Sequence, residues 1–179
     1  MLIRHGEKQE TPPPAAIDEN GTPDKHSMIP RGWERAGALV PLFRCQIPNP
    51  AIAQPTAIFA AAVSNDSSLA FAEGEDLAKS LRPQETVAPL SRALSIAVNT
   101  DFAVGDESDV AQAIAALDGV VLVSWEHKHL PAIARAFSPA APNAWPGDDL
   151  FDLVWILDRS GQTYTFRSIN QSLLDGDAS

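Results

Sequence analysis

Three apolar runs stand out along the chain because they do not alternate with polar residues. Leu2-Ile3 leads straight into Arg4-His5-Gly6, while Ala57–Val63 and Val120–Trp125 are longer runs bounded by polar turns. Continuous runs of this kind predict strands buried on both faces. A short strand is expected around Ile96-Ala97-Val98. Near the C-terminus, Asp152–Asp158 and Gln162–Arg167 flank Arg159-Ser160-Gly161, which predicts a hairpin at the sheet edge.

Between the strands the apolar spacing changes to three and four. Trp33, Ala36, Leu39, Val40 and Phe43 predict a helix that starts after Pro30, kinks at Pro41 and is ended by Ile47-Pro48-Asn49-Pro50. The polar turn Ser64-Asn65-Asp66-Ser67-Ser68 is expected to cap a helix running to about residue 81. Arg82-Pro83-Gln84-Glu85-Thr86 opens another, with Val87, Leu90 and Leu94 on its inner face. An acidic start at Asp106-Glu107-Ser108-Asp109 precedes the stripe Val110, Ile114 and Leu117, and Asp118-Gly119 stops it. Leu130 to Phe137 reads as a last short helix. Residues 9–30, rich in Pro, Gly and polar side chains, read as a loop longer than the usual limit of about 12–15 residues. It is either a cover over a site or a plain surface segment. Strands alternating with helices predict one α/β domain over residues 1–179, with helices on a mostly parallel sheet.

Composition narrows the possible partners. Thirteen Lys and Arg against 23 Asp and Glu give a net charge of −10, which argues against nucleic acid and anionic membrane because both require a basic footprint. A phosphorylated substrate needs only a few local cations and stays open. The single cysteine, Cys45, cannot form an internal disulfide and is expected to pack rather than react. No run approaches about 20 apolar residues and no leader pattern opens the chain. A soluble cytoplasmic protein is therefore expected.

The candidate chemistry lies where two predicted strands end: Ile3-Arg4-His5-Gly6-Glu7 and Trp125-Glu126-His127. Ligands in open α/β sheets bind beyond the carboxyl ends of strands. Arg forks two donors onto an oxyanion, and neutral His is a nucleophile or base near pH 7. Arg4-His5-Gly6-Glu7 resembles the N-terminal signature of the histidine phosphatase (phosphoglycerate mutase-like) superfamily. The segment Gly32-Trp33-Glu34-Arg35-Ala36 is similar to that superfamily's first helix, and Arg82-Pro83-Gln84-Glu85-Thr86 matches its Arg-Ala-x-x-Thr pattern at Arg and Thr.

The resemblance implies a three-layer α/β/α sandwich and a phosphomonoester hydrolase working through a phosphohistidine on His5. It implies that Arg4, Arg82 and protonated His127 surround the phosphoryl group, with Glu7, Thr86 and Glu126 assigned to substrate binding. Glu7 has the alternative of orienting a pocket group or pairing with Lys8. No motif marks the proton donor; of Asp101, Asp106 and Glu107, the last two are explained as helix-start charges, leaving Asp101. No metal or other cofactor is expected, since His127 and His129 have no third ligand nearby in sequence. The implied substrate is a phosphorylated small molecule or phosphoprotein. The unmarked acid, and an Arg82 that follows the second strand late, motivate the alternative of an impaired family member that binds a phosphate ligand or an interaction partner.

Overall fold

A computed structural model gives the structure of residues 1–11, 13–63 and 79–177. In chain order the elements are β1 (Leu2–Arg4), α1 (Pro30–Phe43), β2 (Ala57–Ala60), α2 (Arg82–Leu94) and β3 (Val98–Asn99). They continue as α3 (Glu107–Ala115), β4 (Val121–Trp125), α4 (Leu130–Phe137), β5 (Leu153–Ser160) and β6 (Thr163–Asn170). The strands form one six-stranded mixed sheet of order β3-β2-β4-β1-β5-β6. The pairs β2–β3, β2–β4 and β1–β4 are parallel, whereas β1–β5 and β5–β6 are antiparallel. The helix expected after Ser64–Ser68, running to about residue 81, falls mostly on residues 64–78, which lie outside the described residues.

The apolar runs work because successive strand residues face opposite sides of the sheet. On one side Ile3, Ile58, Leu122, Val154 and Ile156 cluster with Leu39, Leu42 and Phe43 of α1 and Val87 and Leu90 of α2. On the other, Leu2, Phe59, Val123, Leu153 and Trp155 cluster with Val110 of α3 and Leu130 and Ile133 of α4. Leu122 and Val123 are adjacent, are both essentially inaccessible, and belong to different clusters. A strand so placed has no polar face to alternate with. Proline stands in the first two positions of α1, α2 and α4, where its missing N–H has no helical partner to lose.

Three details depart from the sequence pattern. α1 ends at Phe43, before Ile47, in a turn where Cys45 takes a left-handed φ of 54° and Gln46 N–H bonds Pro41 O at 2.9 Å. This backward bond satisfies a helix-end carbonyl. It leaves Cys45 exposed rather than packed. β2 stops at Ala60, with Ala62 making only an isolated bridge to Ala103. The hairpin turns at Gly161, whose φ of 62° suits a residue without Cβ, but of its two strands β5 lies inside the sheet beside β1 and β6 alone lies at an edge. Among the described residues no helix is long and apolar enough to cross a membrane.

Candidate active site

β1 and β4, remote in sequence, lie side by side and parallel, with Arg4 opposite Trp125 and His5 N–H bonded to Trp125 O at 3.1 Å. Both strands therefore release their next residues at the same carboxyl edge. His5, Glu126 and His127 meet there, all buried, with one ligand-capable atom of each within 4.8 Å of the others. Gly6 lets the chain leave this edge under α1: a Cβ on it would come within 2.5 Å of Met28 Sδ, and one on Gly32 within 2.8 Å of Glu7 O. Ile29 N–H bonds Glu7 O across that approach at 3.0 Å.

His5 Nδ1 lies 2.8 Å from Gly6 O. A carbonyl can only accept, so Nδ1 carries the proton and Nε2 keeps its lone pair. Burial, followed by the charges of Arg4, Arg82 and His127, pushes the imidazole well below its usual 6.5, and the Gly6 bond only partly opposes this. A group with a lowered value is neutral above that value, so His5 stays a free base through neutral pH and below. Titration of His5 by nitrogen-edited NMR is expected to show the neutral Nδ1–H tautomer at pH 6. Half-protonation near 6.5 would contradict the environment described.

Arg4 is inaccessible to solvent, and its guanidinium sits 3.7 Å above the Phe151 ring. Such a contact favours a cation. Its Nη1 donates to the carbonyls of Asp148 and Leu150, while Nε and Nη2, the edge that forks onto an oxyanion, have no partner among the described residues. Burial lowers Arg4 to about 10, so it remains charged at neutral pH. A buried N–H pair without an acceptor is expensive. This edge is suited to a bound anion.

His127 lies between two carboxylates. Glu126 Oε1 is 2.7 Å from Nδ1, and Asp148 Oδ1 is 2.8 Å from Nε2. Burial pushes Glu126 up, but His127 and the Lys128 N–H outweigh it and hold the carboxyl below its usual range. Asp148 sits on a turn secured from the far side by Trp145, whose Nε1 donates to Leu150 O at 2.9 Å and whose ring packs on Trp155. His129 instead pairs through Nδ1 with Glu107 at 3.1 Å, and Glu107 also accepts from Trp125 Nε1.

The remaining residues expected from the sequence sit as follows. Arg82 is buried and acts electrostatically on His5, but its Nε and Nη2 donate to Ser27 O and Lys25 O. With Glu85, which accepts from Ser27 Oγ and Met28 N–H, it clamps the end of the 9–30 loop to α2. Thr86 is fully buried; its hydroxyl accepts from Gly6 N–H and donates to Arg82 O, both at 2.7 Å, so it fixes the turn after His5. Glu7 is gripped by Arg35 Nη2 at 2.7 Å and touched by Arg31 Nε at 3.3 Å. Asp101 is exposed, and its carboxylate accepts from Asn99 Nδ2 at 2.8 Å.

Arg35, Asp148, Phe151 and Trp145 carry the site's supports and were not assigned from sequence. Only Arg35 had a signal, as the Arg-Ala step of α1. For a metal, the fold brings His5 beside Glu126 and His127, a group different from the His127 and His129 pair considered in the sequence, and these three lie within ligand range of one another. The charges of Arg4 and Arg82 felt at His5 oppose a cation there and favour an anion.

A cavity of about 620 Å³ adjoins the site. Glu7, Arg31, Arg35, Leu150, Phe151 and Asp177 are among its lining, and Leu150 and Phe151 also contact Arg4. The sequence matches no protein-family model and no curated protein.

Proposed function

We propose that the chain is a phosphomonoester hydrolase of the histidine phosphatase kind, on the three-layer, mostly parallel α/β/α plan which that superfamily implies. The observation that carries this reading is one juxtaposition. A buried imidazole kept neutral with Nε2 free stands beside a buried arginine whose forked edge has no partner among the described residues. Transfer of a phosphoryl group spreads negative charge over three equatorial oxygens, so catalysis is mostly placed positive charge. Arg4 supplies it through Nε and Nη2, and Arg82 adds to the local potential. His127 donates from Nε2 once Asp148 releases it.

In the first step His5 Nε2 bonds to phosphorus as the ester P–O bond breaks. In the second, water oxygen bonds to phosphorus and the P–N bond breaks, returning His5 to its neutral form. Phosphorylated small molecules or phosphoproteins fit equally at the phosphoryl end. An acidic chain of net charge −10 fits neither nucleic acid nor an anionic membrane as partner.

Arg4→Lys is expected to lower kcat/KM by about 10²–10³, because a lysine keeps the charge but cannot present the paired donors. Full activity in that variant would remove Arg4 from the mechanism. The reading itself is tested by rapid mixing with an activated aryl phosphate, whose good leaving group reports the nucleophile without help from an acid. A burst of aryl alcohol supports turnover through His5. Binding of inorganic phosphate without any release would instead favour a phosphate-binding protein.

A further inference from the structure

We propose that Asp148 is the proton donor to the leaving oxygen, and the base for the attacking water; this rests on the phosphatase reading above. Three features of the fold place it. Its Oδ1 reaches buried His127 Nε2 at 2.8 Å, yet its side chain is 84% exposed against 5% for His127, so it stands at the mouth of the site. Its own backbone carbonyl accepts from Arg4 Nη1, and so does that of Leu150 at 3.2 Å. Trp145 Nε1 holds the same Leu150 carbonyl from the core side. The carboxylate is therefore open to solvent at its tip but fixed at its root against the group that would bind phosphate.

In the free protein the His127 contact is the largest influence holding Asp148 below the usual carboxyl range, helped by Lys128 and Arg4. That influence is tied to the contact. When phosphoryl oxygens take His127 Nε2, Asp148 loses its partner and gains a dianion as neighbour, and both changes favour its protonated form. Solvent supplies the proton, because the side chain is exposed. As His5 Nε2 bonds to phosphorus and the P–O bond breaks, the Asp148 proton passes to the leaving oxygen and an alcohol departs. The carboxylate then takes a proton from water as that oxygen bonds to phosphorus and the P–N bond breaks. When phosphate leaves, Asp148 regains His127 and returns that proton to solvent, so Asp148 and His5 both end as they began.

The test separates acid catalysis from mere placement. Asp148→Asn keeps an oxygen that can accept from His127 but carries no transferable proton. Burst rates of wild type, Asp148→Asn and His5→Ala are compared on a dinitrophenyl phosphate and on an alkyl phosphate. The expected result is a loss of about 10²–10⁴ in Asp148→Asn on the alkyl ester, with the dinitrophenyl burst within a few-fold of wild type and its phosphoenzyme slow to hydrolyse. Equal losses on both esters would overturn the proposal in favour of a positioning role. Faster reaction on both would overturn it in favour of a carboxylate that only competes with phosphate. If wild type gives no His5-dependent burst on the dinitrophenyl ester, the phosphatase reading falls, and this role with it.

Discussion

His5→Ala is expected to abolish the burst of aryl alcohol and to lower steady-state turnover by at least about 10³-fold, the scale seen when a nucleophile is removed and only binding and charge stabilisation remain. The fold should survive. Among the described residues His5 makes its side-chain hydrogen bond only to Gly6 O, and its backbone N–H bond to Trp125 is kept by any residue except proline. The variant should also keep affinity for inorganic phosphate, because Arg4 still presents its open edge. Loss of turnover with phosphate binding retained would separate the bond-making residue from the anion site. Unchanged turnover would end the phosphoenzyme account.

The second large effect falls on stability. Arg35 is buried and holds Glu7 and Asp177, each through Nη2 at 2.7 Å, with Gln171 Oε1 on Nη1 at 3.1 Å. It joins the segment after His5 to α1 and to the chain beyond β6. Burial opposes its charge, but the bonds to Asp177 and Glu7 outweigh this and raise its pKa. Removing one partner from a buried pair costs about 3–5 kcal/mol because the other charge is left uncompensated. Arg31 lies 3.3 Å from Glu7 but is 40% exposed, so it offsets part of that loss. Arg35→Ala is thus expected to lower unfolding stability by about 3 kcal/mol, read from denaturant midpoints.

The pH dependence provides a check on that assignment. Asp177 is lowered from 3.8 to about 2: burial raises it, but Arg35 and the N–H groups of Leu173 and Leu174 outweigh that. A depressed carboxyl stabilises the fold above its unfolded value and loses that contribution as pH falls through the folded one. Wild type should therefore lose stability between about pH 4 and pH 2 through Asp177. Arg35→Ala should show less of that acid loss. An unchanged acid limb would mean that the Arg35 contact does not set the Asp177 titration.

Much of the fold was legible because its central strands are covered on both faces. Val121–Trp125 is buried at every position, so nothing polar interrupts the run. Strand order was not legible in the same way. That β4 separates β2 from β1 depends on pairings between residues such as Arg4 and Trp125, which no local pattern encodes. The end of α1 was misplaced because a left-handed turn at Cys45 is set by hydrogen bonding to Pro41, not by apolar spacing.

The same distinction runs through the site. Arg4, His5 and His127 could be picked out since each stands at or just beyond the end of a readable strand. Asp148 and Phe151 belong to a segment with no periodicity, and only the fold sets them against Arg4. Asp101 was reached by elimination among acids between two motifs. The structure gives it an exposed turn with Asn99 rather than a contact with His127.

The most direct test of the central claim is to find the phosphoryl group on the protein. Wild type is mixed with the activated aryl phosphate, quenched in alkali, where a phosphorus–nitrogen bond to histidine survives, and mapped by mass spectrometry. The account predicts one phosphoryl group per chain, located on His5 and missing from His5→Ala. A phosphoryl group on another residue, or hydrolysis with none on the chain, would contradict it.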